Sequence, residues 1–350
     1  MSSDEELVDV RDAHRFDEAA LLAYLEAQLP GFGGGPLRVR QFEGGQSNPT
    51  YLLETPAAQY VLRKQPPGEL LRGAHRVDRE HRIITALRDS AVPVPQTHVL
   101  CDDPSVIGTA FFVMEYVQGR LYRSPRLTDL SLADRGAVYR DAARVLAALH
   151  AVDHQAAGLG DFGRPDQYFE RQVGLWTRQY EAARTEDIQS MDRLATWLAD
   201  NVPTDDATSI AHGDARLENM MLDPTEPRVV ALLDWELSTI GHPLADVAWF
   251  CLAYHNDSPW AETLHDVDVD ALGIPNEEEF LTEYCRHSGR GQVHAWHFYV
   301  AFAHFRMASI LQGVYARGLQ GNASSSRALE IGPWVPKYAD GGWAIAQRGG

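Results

Sequence analysis

Between residues 212 and 236 the chain reads His212-Gly213-Asp214-Ala215-Arg216-Leu217-Glu218-Asn219, then Met220-Met221-Leu222 and a turn at Asp223-Pro224. An apolar run from Arg228 to Leu233 follows, and then Asp234-Trp235-Glu236. Two short apolar runs joined by an Asp-Pro turn predict an antiparallel hairpin. Pairing those strands sets Asn219, just before the first, beside Asp234, just after the second. Any fold of this chain must therefore present two oxygen-bearing side chains at the open end of one hairpin.

The rest of the sequence predicts an α+β fold in two lobes. Asp17 caps a helix that runs to Gln28, with Ala20, Leu21, Leu25 and Leu29 near one face and Pro30-Gly31 as its stop. Leu37–Phe42, Thr50–Leu53 and Tyr60–Arg63 read as three strands joined by turns, a small antiparallel sheet. A helix over Val77–Leu87 follows, with Val77, Ile84 and Leu87 on one stripe and Glu80 on that same stripe, so that a carboxylate faces the sheet. Phe111 to Val117 reads as another strand ending at Gly119. Beyond it the pattern is mainly helical: Arg135–His150, around Trp176, Leu194–Leu198 and Val293–Tyr315. The expected division is an N-terminal helical extension over 1–34, a sheet-bearing lobe over 35–117, and a larger helical lobe over 118–350 that contains the hairpin.

Charge limits the partners. With 31 Lys plus Arg against 49 Asp plus Glu and a net charge of −18, the chain is poorly suited to a nucleic acid or an anionic membrane. The first residues are acidic where a signal peptide is basic and then apolar, and no apolar run reaches the ~18 residues of a membrane span, so the expected location is the cytoplasm. Cys101, Cys251 and Cys285 lack C-x-x-C spacing and read as free or buried thiols.

The chemistry follows from the acids. Asp214 and Asn219 have the D-x-x-x-x-N spacing of a phosphoryl-transfer loop, and Asp234 stands where the second metal-binding acid of such a site belongs. Magnesium takes hard oxygen donors, so Asn219, Asp234 and the phosphates of ATP would suffice to hold it. Asp214 would accept the acceptor hydroxyl's proton or orient that hydroxyl in line with the γ-phosphate. His212, next to Gly213, is expected to pack under the loop and bond backbone. His294, His297 and His304 lack a matching carboxylate or cysteine and read as core or solvated histidines.

These segments resemble the aminoglycoside phosphotransferase and choline-kinase branch of the protein-kinase-like fold, especially the kinase-like domains fused to acyl-CoA dehydrogenases. The resemblance rests on Gly44-Gly45-Gln46-Ser47-Asn48-Pro49-Thr50-Tyr51, Tyr60–Lys64, Glu80, Phe112–Val117, 212–219 and Leu233–Glu236, and covers about residues 35–320. It implies an ATP cleft between two lobes, with Ser47 and Asn48 facing the phosphates. It gives the phosphate-binding cation as Arg63, on the strand face of Val61, in preference to Lys64 on the other face, and pairs that cation with Glu80. Met114 would border the adenine, with the carbonyl of Glu115 and the amide of Val117 bonding its ring. Asp246 would hold the amides of the catalytic loop.

Eleven residues, 235–245, separate Asp234 from Asp246, with no Ala-Pro-Glu. This leaves no room for the segment on which protein substrates dock, so the acceptor is expected to be a small molecule. Overall acidity suits a cationic acceptor such as an aminoglycoside or amino alcohol, whereas the resemblance to the fused domains suggests a hydroxyacyl-CoA or hydroxy acid. Arg171, Arg178 and Arg306 are candidates for a local basic patch, and Trp176, Tyr180, Trp296, Phe298, Phe302 and Phe305 for an acceptor pocket, each with solvated or core placement as the alternative. A nucleotide-binding scaffold without transfer activity and a metal-dependent phosphohydrolase using His212, Asp214, Asp234 and His242 stay open as rival readings. A homodimer is compatible with the sequence, which does not decide it.

Overall fold

The computed structural model describes residues 7–32, 34–43, 48–68, 75–258, 262–321 and 327–348. Its chain divides into two compact units, residues 1–121 with 219–238, and residues 122–218 with 239–350.

The first unit is built on a six-stranded antiparallel sheet. Its elements are β1 (Leu7–Val8), α1 (Glu18–Gln28), β2 (Arg38–Phe42), β3 (Thr50–Glu54), β4 (Gln59–Lys64), α2 (Val77–Leu87), β5 (Thr97–Cys101), α3 (Pro104–Ile107) and β6 (Phe111–Glu115), with sheet order β1-β2-β3-β4-β6-β5. Strand alternation sorts the side chains into two layers. Tyr51, Leu53, Leu62, Phe111 and Val113 pack on Leu21, Leu25, Leu29 and Phe32 from α1 and the turn after it. Leu52, Val61 and Phe112 are buried on the alternate positions, and α2 packs on this sheet with Val77, Ile83, Ile84 and Leu87 buried.

Two sequence expectations are revised here. The described residues of the N-terminal segment 1–34 are no appendage: β1 pairs with β2, and α1, capped by Asp17 through the amides of Ala19 and Ala20, supplies part of the sheet's core. The hairpin of strands Met220–Leu222 and Val229–Leu232 belongs with the first unit and not with the helical residues on either side of it in sequence. Backbone hydrogen bonds explain why. Arg120 and Leu222 exchange N–H donors at 2.8 and 2.9 Å, and the Leu232 amide donates to the Pro93 carbonyl at 2.8 Å. Gly119 makes this approach possible, since a Cβ there would lie 2.4 Å from the Met221 side chain.

The second unit is helical: α4 (Leu132–His150), α5 (Tyr168–Ala183), α6 (Gln189–Asp200), α7 (Pro243–Cys251), α8 (Glu277–Ser288), α9 (Trp296–Leu319) and α10 (Trp334–Arg348). Helix α9 is buried along most of its length and packs on α5, α6, α7 and α10, while α4 packs on α8. Two short strands, Ser209–Ala211 and Thr239–Gly241, pair antiparallel and flank the segments that carry His212 and His242. The two cysteines Cys101 and Cys251 are buried, Cys285 is half-buried, and all three are free thiols. Among the described residues no helix is long and apolar enough to cross a membrane.

Candidate active site

The hairpin delivers what its sequence promises. The Leu233 amide donates to the Asn219 carbonyl at 2.8 Å, which sets Asn219 one residue from Asp234 across the strands. Asp234 itself takes the left-handed backbone conformation, φ +64°, which aspartate tolerates better than most side chains. The turn is pinned from below by the buried Trp235, whose indole N–H donates to the Leu232 carbonyl at 2.9 Å.

Arg63 collects the acids of the first unit. Its Nε lies 2.7 Å from Glu80, and one Nη lies 2.8 Å from Asp234 and 3.8 Å from Glu236. The strand-face argument accounts for this: Lys64 points to the opposite layer, buried over the Phe16 ring at 5.1 Å. Burial raises the Glu80 carboxyl above the usual range; Arg63 pulls it down, and Asp234 and Glu236 push it up. Three carboxylates around one guanidinium leave an excess of negative charge. An ion of hard-oxygen preference bound through Asp234 would relieve that excess, so the donor set fits magnesium. Among the described residues no three His, Cys, Asp or Glu side chains form a metal cage of their own, and magnesium completes its shell with phosphate and water.

The phosphate-loop expectations fare differently. Ser47 lies outside the described residues. Asn48 does not face outward: it is fully buried, its amide donates to Glu80 at 2.7 Å, and its oxygen contacts the His75 ring at 3.1 Å. A charged Glu80 under the sheet needs more than one donor, and Asn48 supplies the second. In the linking segment Met114 and Val117 are half-buried and Glu115 is exposed, its carboxylate accepting from the Gln96 amide at 3.1 Å.

In the second unit the loop that carries Asp214 is held from four directions. Asp246, on the first turn of α7, accepts from the amides of His212 at 2.6 Å and Gly213 at 2.9 Å. Burial alone would raise the Asp246 pKa, but the adjacent His150 ring, at 3.3 Å, together with His212 and the Gly213 amide, holds it below the usual value. His212 is buried, and its Nδ1 accepts from the Asp214 amide at 3.2 Å. Trp249, one turn beyond Asp246 on α7, donates its indole N–H to Asp214 Oδ1 at 2.9 Å. Arg306 of α9 donates to the Gly213 carbonyl at 2.6 Å.

Arg216 completes the surroundings of Asp214, with Nε 3.1 Å from Oδ1 and a second nitrogen 3.0 Å from Glu218. Burial would raise the Asp214 pKa; Arg216, the Trp249 donor, His212 and Arg306 outweigh it and hold the carboxyl below its ordinary value. Beside this loop opens a pocket of about 100 Å³, lined among others by Arg123, Arg216, Glu218, Trp249, Tyr254 and Tyr338.

Several sequence candidates fall elsewhere. Phe298, Phe302, Phe305 and Tyr180 are core, and none of the six aromatic residues named for the acceptor lines this pocket. Arg306 is neither a solvated helix residue nor part of a surface patch; it is half-buried, with its guanidinium against the rings of Trp249 and Trp176. Sequence reasoning missed Trp249, although its position three residues after Asp246 puts it on the same helix face. It also missed Arg123 and Arg216. Arg216 carried a signal, since it lies inside the loop motif itself.

A family model described as the phosphotransferase enzyme family matches residues 38–289. Acyl-CoA dehydrogenase family member 10 of mouse is 45% identical over 97% of this chain and 32% of its own length, and the human family member 11 is 42% identical over 99% and 45%. The chain thus spans less than half the length of these relatives. A crystal structure from Ralstonia eutropha, described as a candidate aminoglycoside phosphotransferase, superposes with a TM-score of 0.88 at 46% identity, covering 95% of this chain and 99% of that one. Aminoglycoside phosphotransferase APH(4)-Ia, solved with AMP-PNP and hygromycin B, gives 0.60 at 16% identity over 94% and 98%. Choline kinase from Cryptosporidium parvum gives 0.59 at 13% over 95% of each chain. The resemblance and the kinase-like α+β fold expected from the motifs are both confirmed.

Proposed function

We propose, for a chain that belongs to the phosphotransferase enzyme family, transfer of the γ-phosphate of ATP to a hydroxyl of a small molecule, with Asp214 as the base. The enzyme is a small-molecule kinase. The observation that carries the finer reading is the state of Asp214: a half-buried carboxylate whose neighbours favour its charged form, beside a pocket and on a loop tied down by Asp246.

In this reading Asn219 and Asp234 hold magnesium, which neutralises charge on the phosphates. Arg63, fixed by Glu80, offers its guanidinium to the phosphates, which would make the Asp234 carboxylate available to a metal. Met114, Glu115 and Val117 border the adenine. The acceptor oxygen attacks the γ-phosphorus, its proton passes to Asp214, and the bond to the bridging oxygen breaks to release ADP. A carboxylate of lowered pKa is a weak ground-state base, so Asp214 orients the hydroxyl first and takes the proton late, when the new O–P bond has acidified it.

The acceptor enters the pocket beside Arg216 and Trp249. Its aromatic lining suits the apolar part of a hydroxylated acyl compound, and Arg123 and Arg216, set among Glu218 and Glu262, are the groups that would meet a negative group of such an acceptor. The names of the acyl-CoA dehydrogenase relatives support the same choice. ATP turnover with a panel of hydroxyacyl-CoAs, hydroxy acids, aminoglycosides and amino alcohols is expected to single out an acyl-type acceptor. D214A should reduce that turnover by about 10²–10⁴-fold, the range of a general base. Full activity in D214A ends the assignment of Asp214. Magnesium-dependent ATP binding without turnover on any acceptor replaces the kinase reading with that of a nucleotide-binding scaffold.

A further inference from the structure

We propose that Trp249 is a positioning residue for Asp214, its indole N–H fixing Oδ1 so that the carboxylate keeps one orientation toward the acceptor hydroxyl, and that Arg306 locks the indole in place. The proposal rests on the reading of Asp214 as the base.

Four chain segments meet in this device. Trp249 on α7 donates to Asp214 Oδ1 at 2.9 Å. The Arg306 guanidinium, from α9, lies 4.2 Å above the Trp249 ring and 5.5 Å from the Trp176 ring of α5. The same guanidinium donates to the carbonyl of Gly213, the residue before Asp214, at 2.6 Å. One cation thus grips both the backbone of the loop and the side chain that holds the carboxylate.

Packing alone gives no reason for this arrangement. A guanidinium taken partly out of water is costly to desolvate; here indole faces and a loop carbonyl receive it directly, desolvation lowers its pKa, and the charges of Asp214 and Asp246 act against that shift. The other cation at Asp214 behaves differently. Arg216 is 40% exposed and shared with Glu218, so it can move when phosphates arrive. Trp249, nearly buried and clamped from behind, keeps its bond through the catalytic cycle. Trp249 and Arg216 both line the pocket, so the fixed partner and the movable one border the same acceptor space.

Trp249→Phe keeps an aromatic ring under Arg306 and removes the N–H together with the five-membered part of the indole. Two measurements need no acceptor. In the first, Mg-ATP hydrolysis with water as acceptor is followed at steady state. W249F should lower kcat by about tenfold or more, the effect of losing one hydrogen bond to a charged group, with KM for ATP unchanged. In the second, aspartate is labelled with ¹³C at the carboxyl, the Asp214 resonance is assigned by its absence in D214N, and its titration is followed. The midpoint should rise in W249F, because the charged form has lost a donor. The other titratable groups around Asp214 are all retained: His212, Arg216 and Glu218 on the loop, Asp246 on α7, Arg306 on α9 and Tyr168 on α5.

A wild-type kcat and an unmoved midpoint in W249F overturn the proposal. Wild-type hydrolysis in D214N overturns instead the reading of Asp214 on which it rests, so the two failures are separable. R306K provides a second arm should W249F fail to fold. It keeps the charge but loses the planar stack on the Trp249 ring, and should also lower kcat at constant KM; a wild-type kcat there removes Arg306 from the device.

Discussion

The two units hold their carboxylates by opposite means. In the first, Glu80, Asp234 and Glu236 share one arginine, and the Asp234 side chain is 38% exposed. In the second, Asp246 is 2% exposed and is satisfied by two backbone amides and a histidine. Backbone donors cannot leave, so Asp246 is a permanent part of the loop. An arginine can exchange one carboxylate for a phosphate, so Asp234 is held in a form that a ligand can displace. The contrast teaches which acids build the site and which perform its chemistry.

Its sharpest consequence concerns Asp234. D234A should lower phosphoryl transfer by about 10²–10³-fold, as when one preorganised electrostatic partner is removed, while the midpoint of thermal unfolding stays near the wild-type value. Arg63 is the converse case. R63M leaves Glu80 buried without its countercharge, and should cost about 3–5 kcal/mol in denaturant unfolding. Because burial already raises Glu80, that loss should shrink on acidification as the orphaned carboxyl takes up a proton. A penalty for R63M that stays constant with pH would mean that Asn48 alone satisfies Glu80.

D246N comes next, since the amide keeps the shape but turns an NH₂ toward donors. It should destabilise by about 2–3 kcal/mol, the cost of weakened and unmet bonds to a buried charge. If D234A proved more destabilising than D246N, the division between exchangeable and permanent acids would collapse.

Much of this was legible because local spacing fixed it. The turn at Asp223-Pro224 and the alternation of Val61 and Arg63 decide where Asn219, Asp234 and Arg63 point, and the observed register agrees. Asp246 was legible only through the resemblance of Pro243–Trp249 to the helix that holds the catalytic loop in the protein-kinase-like fold. What failed depended on contacts between distant segments. Asn48 looks like a loop residue until its burial against Glu80, 32 residues away, is known. Nothing local distinguishes Arg306 from a solvated helix arginine, because its partners come from α5, α7 and the loop. The hairpin sits in sequence among helical residues, yet its ladder partners are Pro93 and Arg120. The strand Thr97–Cys101 was missed for a similar reason: four of its five residues are only half-buried, so no apolar alternation marks it.

The smallest predicted effect extends the contrast to neutral groups. In the second unit His304 is fully buried, Nδ1 bonds the Val300 carbonyl at 2.8 Å, and Nε2 has no hydrogen-bond partner among the described residues. Burial pushes its pKa down to about 3 against the pull of Val300, and burial likewise pushes His242, which caps α7 by accepting from the Leu244 amide, down to about 4. Both rings are neutral in the folded chain, while the unfolded chain titrates near the ordinary histidine value of 6.5. Above that pH neither state binds the proton and the stability is intact. As pH falls below it, the unfolded state takes protons that the native state refuses, and each ring subtracts about 1.4 kcal/mol per pH unit until its folded pKa is reached. H304Q, which removes one titrating group, should therefore show a shallower loss of stability between pH 6.5 and about 4 than the wild type, measured by urea unfolding at fixed pH. An unchanged slope would mean that His304 is protonated in the fold, with its Nε2 proton met by a buried water, and the second unit would then hold an exchangeable charge of its own.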